Sequence, residues 1–352
     1  MKTVSRLSRP AKRIVGLGLI WLATLALLAW AFRGIEVKDL QATLSRLGAG
    51  QAFILILLDF GVFALISARW RLLLGAQGYQ VPLQRILIYR LIAHGINYFT
   101  PGPQVGGEPA QVYFLHRKHH IPMPQAIASV SLDKILELLA NAAFLLVGLY
   151  AAVREGLFAK SIPLQVIFPV AAMLSLLVAY SAALWTGRAP LAWLFKRLAE
   201  WFPNLERIGL VAASAEKQIS SSCRQQPRII LQASLLSSAA WAVMLLEYWL
   251  AARFLGLSLN PGQAIGAITA ASVAFMSPVP GALGVLEAGQ VFFMQALGVS
   301  PALGISISLW IRARDVVLGG SGLLLGNIFT HGKLSLDRDL KIEINSLNSD
   351  GG

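Results

Sequence analysis

Two proline- and glycine-rich breaks in otherwise apolar sequence, each followed by Glu-x-x-Gln-Val, constrain this chain more than any other feature. The first reads YFTPGPQVGGEPAQVYF from Tyr98 to Phe114, and the second FMSPVPGALGVLEAGQVFF from Phe275 to Phe293. Pro101 and Pro103 fall on Pro278 and Pro280, and Thr100 falls on Ser277. After a two-residue insertion, Glu108 matches Glu287, Gln111 matches Gln290 and Val112 matches Val291. The correspondence resumes in the next apolar run, where Ser129, Ser131 and Leu132 stand opposite Ser306, Ser308 and Leu309. Chance seldom repeats such a pattern, so the chain reads as an internal duplication.

The setting of that duplication is a membrane. Hydrophobic residues make up 56% of the chain and charged residues 13%, roughly half the charged share of a soluble domain. Apolar runs at 14–33, 51–74, 126–152, 162–187, 227–252 and 302–329 reach the roughly 20 residues that cross a bilayer. Four shorter runs flank the breaks, 84–99 and 104–115 around the first and 264–277 and 282–297 around the second. As helices, these arms rise only about 18–24 Å, against a hydrocarbon core of roughly 30 Å. Each pair therefore reads as a re-entrant hairpin with its tip inside the membrane. The expected fold is an all-α polytopic membrane protein, an inverted repeat of helix–re-entrant hairpin–helix units with six full spans plus two broken hairpins. Residues 1–352 form a single membrane domain. It divides into an N-terminal span at 14–33, repeat one at 51–152, and a connecting span with an interfacial amphipathic helix at 162–226. Repeat two at 227–329 and a cytoplasmic tail at 330–352 follow. Ala29-Trp30-Ala31 resembles a signal-peptidase site, but the run before it is long for a signal core and reads as a retained helix.

Crossing parity and charge agree on the topology. If the hairpins do not cross, the spans that open the two repeats are three crossings apart and point in opposite directions, so the repeats are inverted. With the N-terminus cytoplasmic, the inside segments collect Lys2, Arg6, Arg9, Lys12, Arg13, Arg69, Arg71, Arg117, Lys118, the basic stretch 188–228, Lys333 and Arg338. Outside, 298–301 is uncharged and 153–161 holds only Arg154, Glu155 and Lys160. This is the positive-inside pattern, with both termini in the cytoplasm and a bacterial inner membrane as the expected location. The first hairpin then enters from the cytoplasm and the second from outside. The net charge of +13 is read as attraction to anionic lipid head groups, not to nucleic acid. Leu191, Leu194, Leu198 and Trp201 recur at helical spacing beside Lys196, Arg197 and Glu200, as in a helix lying on the membrane surface. A single cysteine, Cys223, excludes an intrachain disulfide. The histidines at 116, 119 and 120 lack a nearby carboxylate or cysteine to complete a metal site, so no metal or cofactor is expected.

Candidate site residues follow from the breaks. The start of each second arm should present free N–H donors and a positive dipole end near the midplane, suited to an anion or polar head group. This puts Thr100, Pro101, Pro103, Glu108, Ser277, Pro278, Pro280, Gly284 and Glu287 on the substrate path. The alternative is a packed turn that only shapes the chain. Lys134 and Arg312, at nearly equivalent repeat positions, supply one cation per half for a phosphate or carboxylate. Asp133, Glu137, Arg314 and Asp315 are coupling or ion-pair candidates. Asp59, Arg90, His94 and Glu247 complete the ionisable residues within apolar runs. Glu108 and Glu287 could bind a cationic head group, exchange protons, or pair with Lys134 and Arg312.

These residues resemble a known family, the lysylphosphatidylglycerol synthase transmembrane region, also called UPF0104 or flippase-like, over about residues 12–330. The resemblance rests on Arg69-Trp70-Arg71-Leu72-Leu73-Leu74, the Asn97–Glu108 hairpin, the Pro-x-Pro-Gly-x-x-Gly-x-x-Glu segment from Pro278 to Glu287, and Arg312. It adds Asn97 to the substrate site. It implies lipid translocation, as in the flippase part of the multiple peptide resistance factor, and does not imply aminoacylation. The sequence departs from the family pattern at Asp133-Lys134-Ile135-Leu136-Glu137, where the family often has Glu-Arg-x-x-Asp. It also lacks an arginine sometimes seen near the first tip. The expected function is thus a non-enzymatic flippase for a phospho- or glycolipid. Rival readings are a carrier of a small polar solute or ion, and a lipid-modifying enzyme for which His94 with Glu108 is the only pairing on offer. Gly322 and Gly326 read first as close helix packing, with a homo-oligomer as the other use of such spacing.

Overall fold

The fold is taken from a computed structural model, which describes residues 38, 41–42, 45–100, 106–156, 164–202, 205–277 and 279–329. The N-terminal span at 14–33, the tail at 330–352, and Pro101, Pro103 and Pro278 lie outside the described residues. Regular structure among the described residues is entirely helical. In chain order the helices are α1 (Ala49–Ala76), α2 (Leu83–Phe99), α3 (Glu108–His119), α4 (Met123–Arg154), α5 (Leu164–Trp185) and α6 (Pro190–Ala199). They continue with α7 (Leu205–Gln225), α8 (Pro227–Phe254), α9 (Pro261–Phe275), a single 3₁₀ turn at Pro280–Ala282, α10 (Val285–Ala296) and α11 (Pro301–Phe329).

Among the described residues α1, α4 and α8 are long and apolar enough to cross a membrane. Their 28, 32 and 28 residues rise about 42–48 Å. Helix α11 has 29 residues but carries Arg312, Arg314 and Asp315 near its middle. The lipid-facing character is visible in large apolar side chains that stand exposed, such as Phe53, Ile56, Leu57 and Phe60 on α1 and Val317 and Leu324 on α11. In water such a row would aggregate; in hydrocarbon it is solvated. By contrast α2 (17 residues), α9 (15) and α3 and α10 (12 each) are short helices on either side of the two breaks.

Packing is reciprocal. Helix α1 lies along α8, α2 along α11, and α9 along α4, while α3 contacts α4 and α10 contacts α11. Each end of the chain has its own core. One gathers Trp70, Tyr89, Phe114 and Leu115, and the other Tyr248, Leu286, Phe293 and Met294. Lipid is as apolar as leucine, so helices associate in it through close fit rather than through hydrophobic burial. Small residues supply the fit. A Cβ on Gly322 would stand 2.1 Å from the Leu91 carbonyl oxygen, and one on Gly148 1.8 Å from Thr269 Oγ1. The Gly322/Gly326 stripe is therefore spent on the α2–α11 contact.

Helices α6 and α7 pack on each other beside α5. Glu216 of α7, itself buried, accepts the Leu191 and Ala192 amides at 2.9 Å each and so caps the start of α6. None of the α6 residues is buried, and Trp201 just beyond its end is 80% exposed. This is the amphipathic segment read from the sequence.

Candidate functional site

At the first break, α2 runs out at Phe99 and Thr100 turns its hydroxyl back to donate to Ile96 O at 2.7 Å. Asn97 Oδ1 accepts the Gly107 amide at 2.6 Å, tying the end of α2 to the start of α3. Glu108, the first residue of α3, accepts the Gly106 amide through Oε2 at 2.9 Å and faces Lys134 Nζ through Oε1 at 3.2 Å. Lys134 is shared: its ammonium also lies 2.7 Å from Glu137. One residue back on α4, Asp133 is gripped by two guanidiniums, Arg69 of α1 at 2.7 Å and Arg90 of α2. Arg69 also donates to Ser237 Oγ of α8 at 3.0 Å, and Arg90 lies over the Trp70 ring. A carboxylate in such surroundings is tolerable only because its charge is matched on the spot.

At the second break the same elements recur with different chemistry. Gly281 and Gly284 take positive φ, 55° and 77°, conformations that glycine adopts without strain. The Gly284 amide donates to Glu287 Oε2 at 2.9 Å, so the third residue of α10 reaches back to the residue that starts it. Glu287 is 2% exposed and pairs side-on with Arg312 through both carboxylate oxygens. The same guanidinium donates to the carbonyls of Gly281 at 3.0 Å and Ala282 at 3.2 Å. Ser277 Oγ is buried without a partner. Two residues on, and so toward the opposite side of α11, Arg314 meets Glu247 at 2.8 Å, Asp315 at 2.9 Å and Asp59 at 3.7 Å.

The end of α2, just before the first break, meets the turn of the second. The 3₁₀ turn packs on α2, a Cβ on Gly281 would lie 2.9 Å from the Tyr98 ring, and the Tyr98 hydroxyl interacts with Arg312. Lys134 and Arg312 thus each hold the glutamate of their own half, one of the three arrangements open from sequence. Just ahead of the second arms, the Gly106, Gly107 and Gly284 amides donate to Glu108, Asn97 and Glu287. A carboxylate one to three residues into a helix can reach back to an amide at its start. His94 and Glu108 do not pair. His94 meets Phe63 edge-on and stacks on Tyr98 with Nε2 unpartnered, while Glu108 is engaged by Gly106 and Lys134.

Sequence reasoning left Arg69, Arg90, Ser237, Asp59, Glu247 and Tyr98 out of the site. A signal for four of them was present. A step of 178 residues carries Asp59 onto Ser237 and Arg69 onto Glu247, within one of the steps relating Glu108 to Glu287 and Ser129 to Ser306.

Residues 13–320 match the lysylphosphatidylglycerol synthase TM region. The chain belongs to that family. Among its relatives, a UPF0104 membrane protein of Methanothermobacter thermautotrophicus is 23% identical over 85% of this chain and 91% of its own length. Another, of Pyrococcus horikoshii, is 26% identical over 87% and 94% respectively. A third, of Methanocaldococcus jannaschii, is 33% identical over 24% of this chain and 25% of its own. No solved structure matches the chain significantly. Family membership and the exposed apolar helices make this an integral membrane protein.

Proposed function

We propose that the protein is a flippase-like carrier that moves a polar-headed lipid between leaflets, its head group passing between the two breaks while the tails stay in lipid. The observation that carries this reading is the meeting of Tyr98, Gly281 and Arg312, which brings both breaks to one place. The reciprocal packing of α2 on α11 and α9 on α4 supports two inverted halves, with the short helix pairs as re-entrant hairpins. We place the protein in a cytoplasmic membrane with both termini inside.

The barrier to spontaneous flipping is desolvation of the head group. Here Glu108 and Glu287 hold the Gly106 and Gly284 amides and the cations that a phosphate would use, acting as internal stand-ins for it. An arriving phosphate takes Lys134 from Glu108 first, because Lys134 keeps Glu137 as a second partner and Glu108 is partly exposed. Rocking of the halves then carries the head group across, and the glutamates reclose behind it. Nothing in this cycle requires a covalent step, so the reading is non-enzymatic.

The test is head-group accessibility in proteoliposomes containing fluorescent phospho- or glycolipids. Wild-type protein should expose label from the inner leaflet, and Lys134→Gln and Arg312→Lys should each slow this at least tenfold. Uptake of a small solute with no lipid movement would replace this reading with a solute carrier.

A further inference from the structure

The ionic groups of the two halves do not balance alike. In the first, three cations, Arg69, Arg90 and Lys134, face three carboxylates, Glu108, Asp133 and Glu137. The second holds one neutral pair, Arg312 with Glu287. The other cluster gathers three carboxylates, Asp59, Glu247 and Asp315, on the single guanidinium of Arg314. All three carboxylates are buried, at 7%, 4% and 5% exposure. Fully ionised, the cluster carries two negative charges in excess at membrane depth among the described residues. An uncompensated buried charge costs several kcal/mol and is relieved by neutralisation.

Two independent features point to what neutralises it. The His94 ring of α2 lies close enough to feel both Asp315 and Arg314, and its Nε2 is shut off from solvent with no hydrogen-bond partner. Beside the cluster, a cavity of about 60 Å³ lies among α8, α9 and α11, walled by Glu247, Arg314, Trp310, Tyr248 and Phe275. That volume admits a few water molecules, with Glu247, Arg314, Tyr248 and Ser272 as polar residues on its wall. The carboxylates and His94 do not form a group with metal-ligand geometry.

We propose that Asp59, Glu247, Asp315 and Arg314 form a proton-binding site and that the carrier is driven or gated by proton uptake there. The groups facing the site are Asp59 of α1, His94 and Tyr98 of α2, Glu247 and Tyr248 of α8, and Arg314 with Asp315 of α11; α9 contributes only uncharged residues. Protonation takes a hydrogen ion from the aqueous phase onto a carboxylate oxygen and leaves Arg314 with fewer charged partners. Arg314 can then be released from α1 or α8, freeing α11 to move against them. Deprotonation on the other side restores the clasp. The coupling of this site to lipid movement rests on the flippase reading; proton binding itself does not.

Infrared difference spectroscopy of the full-length protein in lipid, titrated from about pH 5 to 9 where perturbed carboxylates exchange protons, tests the binding directly. The protonated-carboxyl stretch should be present in wild-type protein near neutral pH. It should be lost or reduced by at least half in Asp59→Asn or Glu247→Gln, near-isosteric changes that keep the packing. Absence of the band throughout the range overturns the site. So does a band that persists unchanged in Asp59→Asn, Glu247→Gln and Asp315→Asn, because it then arises elsewhere. In the proteoliposome assay an imposed proton gradient should change the lipid rate at least threefold in wild type, with no response in Asp59→Asn. Lipid movement indifferent to the gradient overturns the coupling while leaving the flippase intact. A proper band without lipid movement overturns the flippase and leaves the proton site standing.

Discussion

The two breaks pose one problem, a glutamate opening a short helix inside a membrane protein, and answer it with different cations. Glu108 and Lys134 are 20% and 21% exposed, and the lysine divides itself between two carboxylates. Glu287 is 2% exposed and takes a two-point grip from an arginine that also closes on two backbone carbonyls. An ammonium is a point charge that can change partners, whereas a guanidinium in a bidentate pair fixes direction as well as charge. The first break is therefore the yielding one and the second the anchored one. Two matching stretches of sequence thus carry unequal ion pairs.

That contrast can be broken most forcefully at Arg312. Arg312→Ala leaves Glu287 charged, buried and unpaired, and should cost about 3–5 kcal/mol, read as a large drop in thermal stability in detergent. Arg312→Ala combined with Glu287→Gln should recover much of it, and no recovery would mean that the carbonyl contacts matter more than the pair. The next effect lies at the contact that holds the breaks together. Gly322→Ala drives a methyl into the Leu91 carbonyl of α2, and prying α2 from α11 should cost about 1–3 kcal/mol. The smallest effect is expected from Lys134→Ala, about 1 kcal/mol, because Glu108 retains the Gly106 amide and some access to water. Equal losses for Lys134→Ala and Arg312→Ala would erase the distinction between a yielding and an anchored break.

Much of the fold was legible because proline and glycine leave a mark that composition cannot blur. The helices flanking both breaks begin and end within a few residues of where the apolar runs do. Pairing of Glu108 with Lys134 and of Glu287 with Arg312 was among the arrangements open from the sequence, but the partners of Asp133 were not legible, because that choice is made across three helices. Arg69 illustrates the loss. Near the end of an apolar run it reads as a cytoplasmic charge reporting topology, yet it is 2% exposed and bound to Asp133. The reach of Glu108 and Glu287 back to the Gly106 and Gly284 amides is a local contact of the same unrecorded kind, set by the turn geometry that the proline and glycine pattern does not specify.

Helix α1 carries Asp59 to the cluster around Arg314 and, ten residues on, Arg69 to the cluster around Asp133. A straight helix transmits displacement along its axis without loss, so these two clusters ride on one connecting rod. Sliding α1 by a fraction of a turn slackens one end and tightens the other. An alanine inserted between Asp59 and Arg69 would turn one end about 100° against the other, so that α1 could seat Asp59 at Arg314 or Arg69 at Asp133 but not both at once.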